Sequence, residues 1–188
     1  MTSRGDEQVE PVAALLSQLV RPPLGVFAIL GNHDYGPTFA ATAVGDQVAR
    51  AIRGAGIRVL QNEIADVAGL QLVGMDEMWA DRFRPEKALA TYDPGRAALA
   101  LAHNPDSLDV GGWGTYRGWV LSGHTHGGQC KPPFLDPPIL PVRNPRYTAG
   151  EIDAGDGRRV YINRGLGYNH RVRFNARPEI TCFTLRRA

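Results

Sequence analysis

The 188-residue chain is short of several things, and each shortage excludes a class of protein. It has two cysteines, Cys130 and Cys182, far apart in sequence, so no disulfide framework staples it. No apolar stretch reaches the roughly 18 residues needed to cross a bilayer. The start, Met1-Thr2-Ser3-Arg4-Gly5-Asp6, lacks the basic-then-apolar pattern of a secretory signal. Taken as written, this predicts a cytoplasmic chain, with membrane association left open if an anchor has been lost ahead of Met1. The net charge of +2 is too small to indicate a nucleic-acid partner or an anionic membrane. There are no internal repeats.

What is present is ordinary for a globular domain. Hydrophobic residues make up 43% and charged residues 21%, which suits one domain over residues 1–188 with its own core. Arg outnumbers Lys and is scattered. Arg164, Arg171, Arg173 and Arg177 near the C-terminus are candidates to face an anionic substrate. Otherwise the charge reads as a solvated surface.

Helical spacing of Val12, Leu15, Leu16 and Leu19 predicts a helix from Val12 to Val20, with Pro11 in its first turn and Pro22-Pro23 ending it. Residues 25–30 form a continuous apolar run, a strand covered on both faces, stopping at Gly31. A second helix is predicted over 38–55 and a strand over 57–60. A hairpin follows over 62–73, then a helix over 85–92. Two more apolar runs, 97–102 and 118–122, end at His103 and at Gly123-His124. Residues 130–147 are rich in Pro and read as a long ordered loop, because they also hold Phe134, Leu135, Ile139, Leu140 and Val142. A hairpin over 148–162 turns at Gly155-Asp156-Gly157, and 179–185 reads as a last strand burying Cys182. Strands alternating with helices predict a layered α/β fold.

Four of the five histidines fall in three motifs: Gly31-Asn32-His33-Asp34-Tyr35, Ala102-His103-Asn104-Pro105-Asp106 and Gly123-His124-Thr125-His126-Gly127-Gly128-Gln129. The fifth, His170, lies in a polar loop. Each motif follows an apolar run, and strand-terminal loops are where an open α/β sheet gathers its ligands. An Asn carbonyl and several imidazoles suit Mn, Fe, Zn or Co and argue against an all-sulfur site. Cys130 directly follows the third motif and reads as a bystander. Taken singly, each motif has a plain structural reading. Gly-Asn-His-Asp can be a turn capped by its own Asn and Asp, His-x-His a surface pair, and His103 a neighbour of a helix cap. Their order, and the apolar run before each, favour a shared site.

Together these motifs resemble the later blocks of the calcineurin-like metallophosphoesterase superfamily. Gly-His-Thr-His-Gly-Gly-Gln is similar to a bacterial branch of it, as are Tyr161-Ile162-Asn163-Arg164-Gly165-Leu166-Gly167 and 173–180. The resemblance runs from about Glu10 to the C-terminus. It implies a sandwich of mixed sheets flanked by helices, with two divalent metal ions. It further implies that Asn32, His103 and His124 bind one metal and His126 the other. His33 would sit beside the phosphate and help protonate the leaving oxygen, with Asp34 holding its ring and keeping it protonated. The implied reaction is hydrolysis of a phosphomonoester, phosphodiester or pyrophosphate in a small or lipid-linked molecule.

The family's Asp-x-His and Gly-Asp blocks, which supply carboxylates to the metals, have no counterpart ahead of Gly31. Gly5-Asp6 lacks the apolar strand that would deliver it. The chain thus resembles a family member missing its first strand–helix–strand unit at the N-terminus. Three neutral ligands at one metal and one at the other predict weak metal retention. The alternative reading is an impaired or inactive metal-binding or interaction module that keeps the fold. The sequence leaves the oligomeric state open.

Overall fold

The computed structural model describes residues 8–168 and 172–186. Gly5-Asp6, His170 and Arg171 lie outside them. The described residues include three α-helices, α1 (Val9–Leu16), α2 (Thr42–Gly54) and α3 (Pro85–Ala88). Eight strands accompany them: β1 (Phe27–Ala28), β2 (Arg58–Val59), β3 (Glu63–Val67), β4 (Leu70–Gly74), β5 (Ala98–Leu101), β6 (Gly118–Ser122), β7 (Gly150–Asp153) and β8 (Arg158–Ile162). Strands β1 and β2 pair in parallel as a small sheet. The other six form a mixed sheet in the order β3-β4-β5-β6-β8-β7. Within it β4, β5, β6 and β8 are parallel, and an antiparallel hairpin closes each edge. No helix among the described residues is long and apolar enough to cross a membrane.

The period-two pattern of the central strands sorts side chains into layers. On β4 and β5, Leu72, Leu99 and Leu101 face Phe27, Ile29 and Leu60 of the small sheet. Their neighbours Val73 and Ala100 point the other way, with Val120, Val160 and Ile162, into the larger core around Trp113, Tyr116 and Tyr147. Each fully buried valine there contributes about 1.5–3 kcal/mol. A third core joins α2 to the small sheet through Val48, Ala49, Ile52, Leu30 and Val59. The result is an α/β sandwich with helices on the outside, as expected from the alternation of elements.

Several boundaries differ from the sequence reading, each for a local reason. Helix α1 runs 9–16, because Ser17 Oγ and Gln18 Nε2 both bond the Ala14 carbonyl and end it early. Its buried residue is Val9, while Leu15 and Leu19 of the expected stripe are exposed. Helix α2 starts at Thr42, since Pro37 and a left-handed Phe39 (φ 60°) keep the chain in a loop until Ala41. Helix α3 is one turn. Residues 179–185 form no strand: Glu179 and Thr181 are held by side chains of Tyr161, Asn163 and Arg164, with no ladder to a neighbour. Ile180 and Phe183 are therefore exposed, and so is Cys182, which was expected in the core. In the Pro-rich segment Phe134, Leu135 and Ile139 are exposed as well. Its anchors are Val142, which packs on the large core, and the buried Tyr147.

The two sheets approach closely where Gly74, ending β4, meets Leu60. A Cβ at Gly74 would collide with the Leu60 Cβ and press on its Cδ1 at 2.9 Å. Both residues lie inside the sandwich, so neither can swing away. Gly74→Ala is expected to cost at least 1–3 kcal/mol by overpacking, on the order of other core insertions. Urea unfolding measures it, and a variant as stable as the parent would refute the close approach.

Candidate metal centre

Parallel strands share a C-terminal rim. His103 follows β5, His124 follows β6, and Asp76-Glu77 follow β4 on that rim. Asn32 and His33 come from the small sheet, in a 3-10 turn (Asn32–Tyr35) after β1. The site is thus assembled from both sheets.

Three side-chain atoms converge. His103 Nε2 lies 3.0 Å from Asn32 Oδ1, His124 Nδ1 lies 3.2 Å from the same oxygen, and the two ring nitrogens are 3.3 Å apart. The far nitrogen of His124, Nε2, lies 2.7 Å from the Pro141 carbonyl. A carbonyl only accepts, so Nε2 carries the ring hydrogen and Nδ1 presents its lone pair to the cluster. Burial pushes the His124 imidazolium down to about 4, so the ring is neutral at pH 7. Burial and the adjacent His124 ring lower His103 well below its ordinary value. Donor atoms about 2.1 Å from one ion would stand about 3.0–3.4 Å from each other, so the triangle fits a single divalent cation. Its donors are all neutral. Among the described residues no group of three His, Cys, Asp or Glu side chains converges on one point.

The other predicted residues lie around this triangle. His126 stands apart from it, with Nδ1 3.2 Å from Gln129 Oε1, and burial lowers its imidazolium. It shares with His124 a cleft of about 160 Å³ walled by Pro138, Ile139, Pro141 and Val172. Cys130 lines the same cleft. His33 packs edge-on against Phe39 with centroids 5.0 Å apart. Asp34 Oδ2 accepts the Gly31 backbone N–H at 2.9 Å, which closes the turn. A larger recess of about 530 Å³ around Gly118, Trp119 and Arg159 lies at the opposite, N-terminal ends of β6 and β8.

The loops are locked locally. Gly31 has no side chain because the His103 ring occupies that space; a Cβ would come within 2.7–2.9 Å of three ring atoms. His124, His126 and Gln129 all adopt positive φ (69°, 53° and 51°), so the Gly-His-Thr-His-Gly-Gly-Gln turn carries backbone strain at both of its histidines. Thr125 Oγ1 anchors the turn to the Thr148 carbonyl at 2.6 Å. Arg173 donates to the carbonyls of His126, Arg164 and Ala176, and Arg164 pairs with Glu179 at 2.6 Å. These two arginines brace the protein's own backbone and carboxylate, a different duty from the anion contact expected of them. Arg177 is exposed.

The motif search missed Asp76, Glu77 and Trp79. Asp76 accepts the Tyr35 hydroxyl, Gln61 Nε2 at 3.2 Å and Arg82 Nε at 3.1 Å. Glu77 is buried; its Oε1 accepts the Trp79 N–H at 3.0 Å and its Oε2 has no hydrogen-bond partner. Trp79 packs edge-on against the His124 ring, 4.6 Å between centroids. The same signal that found His103, an apolar strand ending in polar residues, was present in Leu70–Gly74.

Two predictions follow from this geometry. Gly31→Ala should displace His103 and open the triangle, weakening Mn²⁺ or Zn²⁺ binding at least tenfold by calorimetry; unchanged affinity would dismiss the triangle as the binding site. Burial holds the Glu77 carboxyl up at about 7, against 4.5 when unfolded. Between those values the folded state keeps a proton that the unfolded chain has released, so stability falls as pH rises through that window. The whole effect is about 3 kcal/mol. Glu77→Gln carries no such proton, so urea melts at pH 5 and pH 8 should show the parent losing more stability than the variant. Parallel losses would contradict the buried carboxyl.

The chain is 37% identical over 165 residues to the phosphodiesterase YaeI of Escherichia coli, covering 85% of this chain and 57% of that protein. It is 34% identical over 193 residues to an uncharacterized metallophosphoesterase of Aquifex aeolicus, covering 96% of this chain and 67% of the relative. It is 29% identical over 210 residues to the UDP-2,3-diacylglucosamine pyrophosphatase LpxG of Chlamydia trachomatis, covering 84% and 63%. The chain spans about six-tenths of the length of the first curated relatives it matches. No family profile and no solved structure matches it. Identity at this level, over most of the chain, makes it a member of the calcineurin-like metallophosphoesterase superfamily.

Proposed function

We propose that this chain carries the metal- and phosphate-handling rim of a phosphoesterase. Asn32, His103 and His124 hold one divalent ion, drawn from Mn, Fe, Zn or Co, and His126 serves a second. The observation that carries this reading is the triangle of donor atoms, with the remaining nitrogen of His124 already committed to Pro141. A backbone carbonyl behind a ligating imidazole is the usual second support of a metal site. The ions, when bound, neutralise phosphate oxygens and supply the attacking water in a more acidic form.

The protein's own groups do the rest. His33 stands at the phosphate and delivers a proton to the leaving oxygen as its bond to phosphorus breaks. Asp34 holds the turn that aims His33, through its bond to the Gly31 N–H. The substrate is a phosphomonoester, a phosphodiester or a pyrophosphate, free or lipid-linked. The names of YaeI and LpxG support the diester and lipid-linked pyrophosphate members of that set.

The lack of a carboxylate in the triangle favours a second reading, a metal-binding module without turnover. His33→Asn separates the two. The phosphoesterase reading expects metal content, by elemental analysis, equal to the parent's, with hydrolysis of bis(p-nitrophenyl) phosphate reduced roughly 100- to 10,000-fold, as for loss of a general acid. Hydrolysis equal in parent and variant would leave the module.

A further inference from the structure

Two aromatic rings beside the site belong to none of the three apolar cores. Phe39 meets His33 edge-on at 5.0 Å, Trp79 lies 5.5 Å from Phe39, and Trp79 in turn meets His124 at 4.6 Å. The rings form an unbroken wall from the proposed proton donor to a proposed metal ligand. Phe39 is half-buried and Trp79 is 39% exposed, so the wall faces solvent on the side where substrate would arrive.

The protein maintains this wall at some cost. Phe39 sits in the left-handed region, φ 60°, which a bulky side chain avoids. Such outliers persist where the surroundings enforce them, and they gather at functional sites. The Trp79 main chain is pinned by the buried Glu77 Oε1. Two large rings held in place outside any core need a partner, and the groups at either end of the wall bracket the reacting phosphate.

We infer that Phe39 and Trp79 form the leaving-group wall of the site, selecting phosphoesters whose departing alcohol carries an aryl-sized apolar group. This rests on the phosphoesterase reading above. His33 must touch the leaving oxygen to protonate it, so the carbon skeleton attached to that oxygen emerges beside Phe39. An apolar ring placed there gains edge-to-face contact with Phe39 and Trp79. A methyl group is too small to reach both.

The test compares phenyl and methyl phosphodiesters of otherwise identical structure on the full chain loaded with Mn²⁺. The ratio of kcat/KM values, phenyl over methyl, is measured in the parent and in Trp79→Ala and Phe39→Leu. Intrinsic reactivity of the two esters cancels when the ratios are compared. The wall predicts that the ratio falls about tenfold in Trp79→Ala and by a smaller factor in Phe39→Leu. Equal losses for both esters would make the rings mere props for the imidazoles and overturn the inference. A parent inactive on both esters would count against the phosphoesterase reading alone. The wall is then judged by binding: phenylphosphonate should bind more tightly than methylphosphonate to the parent, and Trp79→Ala should erase the difference. Equal binding of the two phosphonates to the parent refutes the wall.

Discussion

The buried carboxylate of Asp76 is the joint on which the site depends. It sits just past the end of β4 and accepts the Tyr35 hydroxyl from the turn after β1. The same group takes Arg82 and Gln61, and its Oδ1 also accepts the Glu77 N–H at 2.8 Å. One oxygen pair therefore ties the small sheet to the large one. It adds a polar tie to the apolar packing of Leu60, Phe27 and Ile29 on Leu72, Leu99 and Leu101, and it lies on the side that carries Asn32 and His103. Only the Asp76 side of its ion pair with Arg82 is buried, since Arg82 is one-third exposed and also reaches Asp46 at 3.5 Å, so it is removal of the donors around Asp76 that would strand a charge. Burial and the Asp76 carboxylate both raise the Tyr35 hydroxyl far above its ordinary value, so it stays a donor at any working pH.

Much of this was legible in the sequence, and for one reason. Parallel strands in an α/β sheet end on a common rim, so an apolar run followed by Asn-His, His or His-x-His gives both the element and the position of its ligand. The runs before Gly31, His103 and Gly123 were read that way, and the structure brings Asn32, His103 and His124 within 3.3 Å of each other. The run before Asp76 escaped because β4 was read only as the return strand of a hairpin with β3. Its parallel pairing with β5, which carries it to the rim, is a long-range fact. The segment at 179–185 shows the converse error. Its alternation suits a strand, but alternation supplies no ladder: a single backbone bond, Glu179 N–H to the Gly165 carbonyl at 3.1 Å, joins the side chains of Tyr161, Asn163 and Arg164 in holding it.

The arginines of the C-terminal region illustrate a limit of charge counting. Arg173 spends its guanidinium on five loop carbonyls, those of His126, Arg164, Gly165, Gly167 and Ala176, and Arg164 on Glu179. A planar fork with several fixed donors suits this bracing better than an ammonium would. The turn that carries His124 and His126 bends through three non-glycine residues at positive φ, and this bracing holds it there. Positive charge beside the histidine cluster is thus partly structural.

The bond from His124 Nε2 to the Pro141 carbonyl joins the proline-rich segment to the chemistry of the rim. That segment is moored elsewhere by Asp106, which accepts the N–H groups of Arg143 and Asn144. While it is seated, the imidazole has one tautomer available and its free nitrogen faces inward. An imidazole without such an acceptor can place its hydrogen on either nitrogen. A single carbonyl of an irregular loop thus fixes which face of an imidazole carries its hydrogen.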